Sequence, residues 1–141
     1  MKDPKGEAER WLKQAEYDLR AAEHNADGEY YSVACFNAQQ AAEKALKAFL
    51  FAQGERVVVG HSVGELCRRC GEHDKSFADL ARLVGKLDRF YVPTRYPNAL
   101  PGGVPAEVYD EEDAAGAIDL ASKALARVRK VLPLDQGGAD G

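Results

Sequence analysis

The sequence predicts an all-α fold, an up-and-down bundle of four main helices plus one short helix. Apolar residues recur at spacings of three and four along four long segments, which is the period of an amphipathic helix. No stretch alternates apolar and polar residues strongly enough to compete as a strand. The links between successive segments are mostly short, and short links favour antiparallel neighbours.

The first helix is predicted over about residues 6–25 and the second from near Glu29 to about Gln53. The first carries an apolar stripe of Ala8, Leu12, Ala15, Leu19 and Ala22. Gly54 follows the second helix and is a natural C-terminal stop. The second helix is rich in alanine, and its predicted apolar face consists of Ala38, Ala42, Ala45, Phe49 and Ala52. Small residues on that face allow another helix to approach closely.

A short third helix is predicted over about residues 63–70. Ser62 and Glu65 have the spacing of a capping box, in which each side chain bonds the backbone of the other residue. His61 precedes this cap, and two interpretations of it stay open. The imidazole can pack on Leu66 as a staple at the helix entrance, or it can serve a functional site.

The fourth and last helices complete the predicted bundle. Ser76 and Asp79 suggest a cap, and the apolar stripe that follows is Phe77, Leu80, Val84, Leu87 and Tyr91, before Pro93 ends the helix. Residues 92–109 contain four prolines and form a long connection. The acidic run from Asp110 to Asp113 then suits the positive end of a final helix. The predicted core stripe of that helix is Ala114, Ala117, Ile118, Ala121, Leu125, Val128 and Leu132.

The length of 141 residues fits one domain, placed at residues 6–132, and the Gly- and Asp-rich residues 133–141 are expected to form a disordered tail. The net charge of −4 is unevenly distributed. Residues 37–95 carry 10 basic and 7 acidic groups, whereas the segments on either side are acidic. This pattern disfavours a general nucleic-acid coat and permits a local anion site.

The chain has no apolar segment of membrane-spanning length, and its charged N-terminus lacks the core of a signal peptide, so a cytoplasmic protein without membrane contact is expected. The three cysteines are odd in number, which fits a reducing compartment. Cys67, Cys70 and His73 form a C-x2-C-x2-H cluster that raises the question of zinc. A second ligand pair of the usual kind is missing, so we predict neither a metal nor a cofactor.

Two features indicate a polar groove. One face of the second helix carries Asn37, Gln40, Lys44 and Lys47, at relative positions 0, 3, 7 and 10. The loop Tyr91-Val-Pro-Thr-Arg-Tyr-Pro97 uses two prolines to restrict the backbone around Arg95. Simpler interpretations stay open for both, because the polar stripe can face water and Arg95 can form a salt bridge to an acidic helix end.

The block Ala34-Cys-Phe-Asn-Ala-Gln-Gln-Ala-Ala-Glu-Lys-Ala-Leu-Lys-Ala48, then His61, then the YVPTRYP loop together resemble the HEPN family, over roughly residues 7–132. The resemblance implies a bundle of about five helices, commonly a homodimer, that in many prokaryotes is encoded beside a small nucleotidyltransferase. It also implies, for some relatives, nucleotide binding. We therefore expect a nucleotide-binding module, more a binding protein than an enzyme, although enzymatic activity stays open.

Two alternatives accompany this expectation. Some HEPN relatives are metal-independent ribonucleases of toxin–antitoxin pairs, with an Arg and a His separated by four to six residues. Arg56 and His61 have that spacing, but they lie in the link after the second helix rather than on a late helix, so they are only weak catalytic candidates. The other alternative is a non-catalytic structural partner, whose alanine face buries a neighbour and whose polar stripe meets only water.

The predicted nucleotide or anion site combines charged donors with groups that read or stack on a base. Arg95 offers a planar fork for phosphate, and Lys44 and Lys47 offer point charges. Tyr91 or Tyr96 can stack on a base. The complete predicted set is Asn37, Gln40, Lys44, Lys47, His61, Arg95 and Tyr96. A glycine-rich phosphate loop with the Walker spacing is absent from the sequence.

Overall fold

A computed structural model of the chain describes residues 3–132. Within that range the fold has six α-helices and no strand. The helices are α1 (Pro4–Asp27), α2 (Tyr31–Ala52), α3 (Val63–His73), α4 (Ala78–Val84), α5 (Pro105–Val108) and α6 (Glu111–Val131). Three 3₁₀ segments accompany them, at Lys75–Phe77, Gly85–Phe90 and Pro97–Ala99. The all-α prediction is confirmed, and the predicted disordered tail lies outside the described residues.

Helix α1 extends two residues beyond the predicted range at each end. Asp3 caps it, since its carboxylate accepts from the Gly6 amide at 2.9 Å, and Pro4 occupies the first turn, where a missing amide hydrogen costs nothing. Gly28 ends the helix, and Glu29 then has a φ of +69°. This tight turn reverses the chain, so that α2 packs back along α1.

Helix α2 is the centre of the fold, because α1, α3 and α6 all pack against it. Four members of the predicted apolar face are buried, namely Ala38, Ala42, Ala45 and Phe49, whereas Ala52 is half-buried. Ala34, Ala41 and Ala48 on other sides of the helix are buried as well. Burial on several sides also affects the polar residues of α2. A helix surrounded on most sides has little room for a solvated stripe, and Gln39, Glu43 and Lys47 are all buried.

The N-terminus of α3 is held by a residue from far along the chain. Ser62 accepts from the Glu65 amide at 3.1 Å as predicted, but the Glu65 carboxylate pairs with Arg68 at 2.7 Å instead of returning to Ser62. Asp88 is the carboxylate acceptor here, because it accepts hydrogen bonds from the amides of Val63 and Gly64 and from the Ser62 hydroxyl. Only the half of the predicted capping box in which Ser62 accepts from Glu65 forms, and the half that requires the Glu65 carboxylate is wrong. Asp88 fixes the N-terminus of α3 beside His61.

The predicted fourth helix is interrupted. It consists of the 3₁₀ segment Lys75–Phe77, the short α4, and the 3₁₀ segment Gly85–Phe90. Gly85 lies against Gly64, where an added Cβ would come within 3.3 Å of the neighbouring Cα. This close backbone contact coincides with the change to 3₁₀ geometry. Tyr91 follows the last of these segments as a half-buried residue and does not extend an α-helical stripe.

The long connection contains the small helix α5 and leads to α6. Asp110 and Asp113 form a reciprocal capping box at the start of α6. Along α6 the residues Ala114, Ala117, Ala121, Leu125 and Val128 enter the core, as predicted. No helix among residues 3–132 is both long and apolar enough to cross a membrane.

Candidate functional site

The centre of the candidate site is a buried polar cluster on α2. Glu43 is 3% exposed, and one of its oxygens lies 3.0 Å from the Lys47 Nζ and 3.0 Å from the His61 Nδ1. Its other oxygen accepts from the amide nitrogens of Gln39 at 3.2 Å and Gln40 at 3.3 Å. Every buried polar side-chain atom in the described part of the chain has a partner. The cluster therefore offsets much of the cost of burying its charges.

His61 is held at both its backbone and its ring. Gln39, which is fully buried, donates from Nε2 to the His61 carbonyl at 3.0 Å. The Nδ1 faces Glu43, and a carboxylate there favours the tautomer that carries the proton on Nδ1. Since the side chain is 56% exposed, Nε2 is the ring nitrogen available to a ligand. The imidazole stacks on Tyr91, with 4.8 Å between centroids.

Arg95 also packs on the Tyr91 ring that His61 contacts. Its guanidinium carbon is 4.5 Å from the centre of the Phe36 ring, 4.6 Å from that of Tyr91 and 5.2 Å from that of Tyr96. The Nε donates to the Tyr91 carbonyl at 2.7 Å. No carboxylate within residues 3–132 forms an ion pair with Arg95, so the salt-bridge interpretation of this residue is wrong for the described part of the chain.

The loop around Arg95 is fixed by a contact that the prolines alone did not indicate. Thr94 is 5% exposed, and its hydroxyl donates to the Phe90 carbonyl at 2.6 Å. The Arg95 amide donates to the Val92 carbonyl at 3.0 Å, which closes a turn. Tyr96 has the extended backbone predicted for a residue before proline, and half of its surface is exposed. Arg95 and Tyr96 thus lie at the protein surface on a constrained backbone.

The predicted polar stripe of α2 does not face one groove. Asn37 accepts at 2.8 Å from Asn25 of α1, and Lys44 pairs at 2.7 Å with Asp18 of α1. Lys47 is buried in the Glu43 cluster, where its Nζ also lies 5.6 Å from the centre of the Trp11 ring. The structure therefore brings His61 and Arg95 together through Tyr91, and Tyr96 joins them through Arg95. It directs Asn37 and Lys44 towards α1.

Sequence reasoning missed Glu43 and Gln39. Gln40, which it included, donates at 2.8 Å to the Gln39 side-chain oxygen and supports the cluster from its edge. The signal for Glu43 was present in the sequence, since Gln39, Glu43 and Lys47 follow one another at i, i+4 spacing on one face of a helix. Their surroundings were not visible, because burial of that face depends on how α1 and the 61–91 region pack around α2.

The remaining candidates are Arg56 and the C-x2-C-x2-H cluster. Arg56 is exposed in the link between α2 and α3. The Cys67 and Cys70 thiols are buried, and burial raises the pKa of Cys67 to about 11 and also raises that of Cys70. The His73 Nε2 lies 3.0 Å from Glu55. Within residues 3–132 no cluster of at least three His, Cys, Asp or Glu side chains has the geometry to hold a metal.

Comparisons with known proteins agree with this architecture. A solved structure of TT1696 from Thermus thermophilus superposes with a TM-score of 0.83 at 44% identity, covering 89% of this chain and 98% of that one. ST0689, described as an archaeal HEPN homologue, superposes with a TM-score of 0.73 at 39% identity, covering 92% of this chain and 98% of its own. The Methanocaldococcus jannaschii protein named Putative toxin MJ1304 is 29% identical over 133 residues, 89% of this chain and 88% of that protein.

The family model called HEPN domain matches residues 8–131, which is nearly all of the described structure. That range includes the Glu43 cluster, His61 and the loop around Arg95. The resemblance inferred from the motifs of α2 and of residues 91–97 is thereby confirmed, and the chain belongs to the HEPN domain family.

Proposed function

We propose that this protein binds a nucleotide, or the phosphate-bearing end of a nucleic acid, at the surface formed by His61, Tyr91, Arg95 and Tyr96. The observation that carries the proposal is the pair of donors flanking Tyr91. One is an imidazole oriented by buried Glu43, and the other is a guanidinium without a carboxylate partner in the described chain.

The phosphate would be bound by Arg95 and His61. The Arg95 Nε is occupied by the Tyr91 carbonyl, which fixes the plane of the guanidinium and leaves its terminal nitrogens for a bidentate contact. A protonated His61 would donate from Nε2 while Nδ1 stays on Glu43. Both donors rest on aromatic rings, so little side-chain entropy is left to lose when an anion binds.

The base would stack on Tyr96, whose ring is half exposed. Tyr91 is less suited to that role, because its ring already contacts His61 and Arg95. Gln40, Lys47, Asn37 and Lys44 have protein partners in the structure. The proposed ligand contacts are therefore fewer than the sequence alone suggested, and Lys47 acts by balancing the charge of Glu43.

The proposal extends to a homodimer that works with a small nucleotidyltransferase. Its support is membership of the HEPN family, in which the sequence resemblance implied such an arrangement. Light scattering of the purified chain and co-purification with a nucleotidyltransferase encoded beside it would test this part independently of ligand binding.

Calorimetric titration with ATP, GTP and a short single-stranded RNA tests the binding site. We expect binding that weakens at least about tenfold in Arg95→Gln, since a charge-assisted contact to phosphate contributes about 1.5–3 kcal/mol. Arg82→Gln is the matched control, because Arg82 is an exposed arginine on α4 and lies outside the proposed site. Absence of binding by the unmodified protein, or an equal loss of affinity in both variants, would contradict the proposed site.

A second candidate function is a metal-independent ribonuclease of a toxin–antitoxin pair, with His61 as the reacting group and Arg56 as a weaker candidate. Two observations favour it, the name of the Methanocaldococcus jannaschii relative and the carboxylate that orients the His61 ring. A carboxylate on Nδ1 leaves Nε2 able to accept a proton from a ribose hydroxyl.

Expression in a bacterial host separates the two functions. A ribonuclease should slow growth and degrade cellular RNA, and both effects should disappear in His61→Ala while the protein still folds. If growth and RNA are unchanged but calorimetry detects a nucleotide, the binding module stands and the ribonuclease fails.

A further inference from the structure

A groove between α4 and α6 shares no residue with the His61 site. The α4–α6 groove has a volume of about 460 Å³. Its floor is apolar, with Leu80 and Leu83 from α4 and Ala126 from α6. Leu80 and Leu83 lie three residues apart and Ala126 lies opposite them, so a side chain entering from solvent would meet apolar atoms on both sides.

The rim of the α4–α6 groove is positively charged. Lys123, Arg127 and Lys130 occupy positions i, i+4 and i+7 of α6 and lie on one face of that helix. Among residues 3–132, the only carboxylate in the lining is Asp79. Lys123 pairs with Asp119 at 2.6 Å, whereas neither Arg127 nor Lys130 forms an ion pair with any residue between 3 and 132.

Arg127 is held in position at this rim. Its Nη1 donates to the Ser76 carbonyl in the segment that leads into α4. The guanidinium therefore bridges the two sides of the α4–α6 groove and keeps its remaining donors for an incoming acceptor. A local cationic rim of this kind contrasts with the net charge of −4 for the whole chain, so an acidic ligand would be attracted to this rim despite the overall negative charge.

We propose that the α4–α6 groove docks an acidic amphipathic segment of a partner protein. Leucine-like side chains of that segment would enter between α4 and α6, and carboxylates on its flanks would face Arg127 and Lys130. This is the helix-in-groove mode of recognition, in which apolar anchors contribute affinity and charges select the partner.

The lining chemistry favours this occupant over two others. Single-stranded nucleic acid needs aromatic platforms for its bases, and no aromatic residue of the described part of the chain lines the groove. A second copy of the chain would have to present a protruding acidic segment. The acidic concavity of about 450 Å³ beside Glu23, Asp27, Glu111 and Asp119 is itself a groove, and two facing grooves would leave a void between them.

A peptide-display selection tests the proposal. The full chain serves as bait for a library of helical 16-residue peptides with random charge and apolar pattern, and enriched peptides are then measured by fluorescence anisotropy. We expect the selection to enrich peptides with a net negative charge and with apolar residues at i, i+3 or i+4 spacing. The double variant Arg127→Glu/Lys130→Glu should lose at least about tenfold in affinity, since like charges at an interface are strongly unfavourable.

The control variant, Lys13→Glu/Arg20→Glu, makes the same charge change on exposed residues of α1. Its affinity for the peptides should stay within about twofold of that of the unmodified protein. Thermal melts of both variants establish that they fold. Enrichment of neutral or basic peptides, absence of any enrichment, or equal affinity in the two variants would overturn the proposal. Self-association that is lost only in Arg127→Glu/Lys130→Glu would also overturn it, because the groove would then bind a second copy of the chain. Tighter peptide binding by a chain ending at Leu132 would overturn it as well, because residues 133–141 would then be the occupant of the groove.

Discussion

Lys44 and Lys47 lie one turn apart on α2, and the structure gives them different surroundings. The Lys47 side chain is 7% exposed and pairs with a Glu43 side chain that is 5% exposed. The Lys44 side chain is 23% exposed and pairs with an Asp18 side chain that is 11% exposed. The same residue type on one helix therefore forms a buried ion pair in one direction and a partly solvated pair in the other.

The difference arises from what lies beside each pair. Lys47 is covered by Trp11, whose ring packs on Phe51 at 5.5 Å, so water has little access to the ammonium group. Lys44 reaches Asp18 at the edge of the α1–α2 contact, where Gln14 also donates to Asp18 at 3.0 Å. A buried charge depends almost entirely on its partner, whereas a partly solvated charge can still be stabilised by water.

The largest predicted effect comes from removing the charge of Glu43 without changing its length. In Glu43→Met the Lys47 ammonium stays buried with no carboxylate, and His61 and the two glutamine amides lose their common acceptor. We expect the free energy of unfolding to fall by about 3–5 kcal/mol, as for other broken buried pairs. Urea denaturation followed by circular dichroism measures this value.

The double variant Glu43→Met/Lys47→Met is the control for that prediction. It removes both charges and retains similar volumes, so most of the lost stability should return. If the double variant is no more stable than the single one, the damage comes from the amides or from packing, and the description of Lys47 as a charge dependent on Glu43 is wrong.

Periodic features of the sequence predicted the helices well. The apolar stripes of α1 and α6 locate those helices to within about two residues, because side-chain spacing in a helix is a local property. The predicted fourth helix failed at Gly85, since its break coincides with a contact to Gly64, which lies 21 residues earlier in the chain. A contact between two distant backbone segments leaves no periodic trace in either of them.

The candidate site was only partly predictable for the same reason. His61 and Arg95 were identified from their positions beside a cap and between prolines, which are local signals. Identifying Glu43 as a site residue required knowing which side of α2 is buried. Assigning Lys44 to an ion pair required knowing the position of Asp18 on α1. Polar residues on a helix surrounded by other helices cannot be assigned to solvent, site or core from spacing alone.

A smaller effect is expected at the partly solvated pair. A double-mutant cycle with Asp18→Ala and Lys44→Ala should give a coupling energy of about 1 kcal/mol or less, well below that of the buried pair. The coupling should also shrink in 1 M salt, where the screening length falls to about 3 Å. A coupling as large as that between Glu43 and Lys47, or one insensitive to salt, would remove the distinction drawn between the two pairs.

The smallest predicted effect is at a third carboxylate, Glu55, whose side chain is more solvated than those of Glu43 and Asp18. Glu55 lies 2.5 Å from the Arg69 Nη2 and 3.0 Å from the His73 Nε2. Partial burial works to raise its pKa, but the hydrogen bonds from His73 and Arg69 outweigh burial and hold the pKa below its ordinary value of 4.5.

Because the folded-state pKa of Glu55 is lowered, its contribution to stability is complete above pH 4.5 and is lost as the pH falls towards the lowered value. Glu55→Gln should therefore cost about 1 kcal/mol or less at pH 7, and the difference from the unmodified protein should narrow below pH 4. Urea denaturation at pH 7, 5 and 3.5 measures the trend, with Glu72→Gln as a control on an exposed glutamate of α3. A difference that stays constant or widens towards low pH would mean that the Glu55 carboxylate is not stabilised in its ionised form by Arg69 and His73.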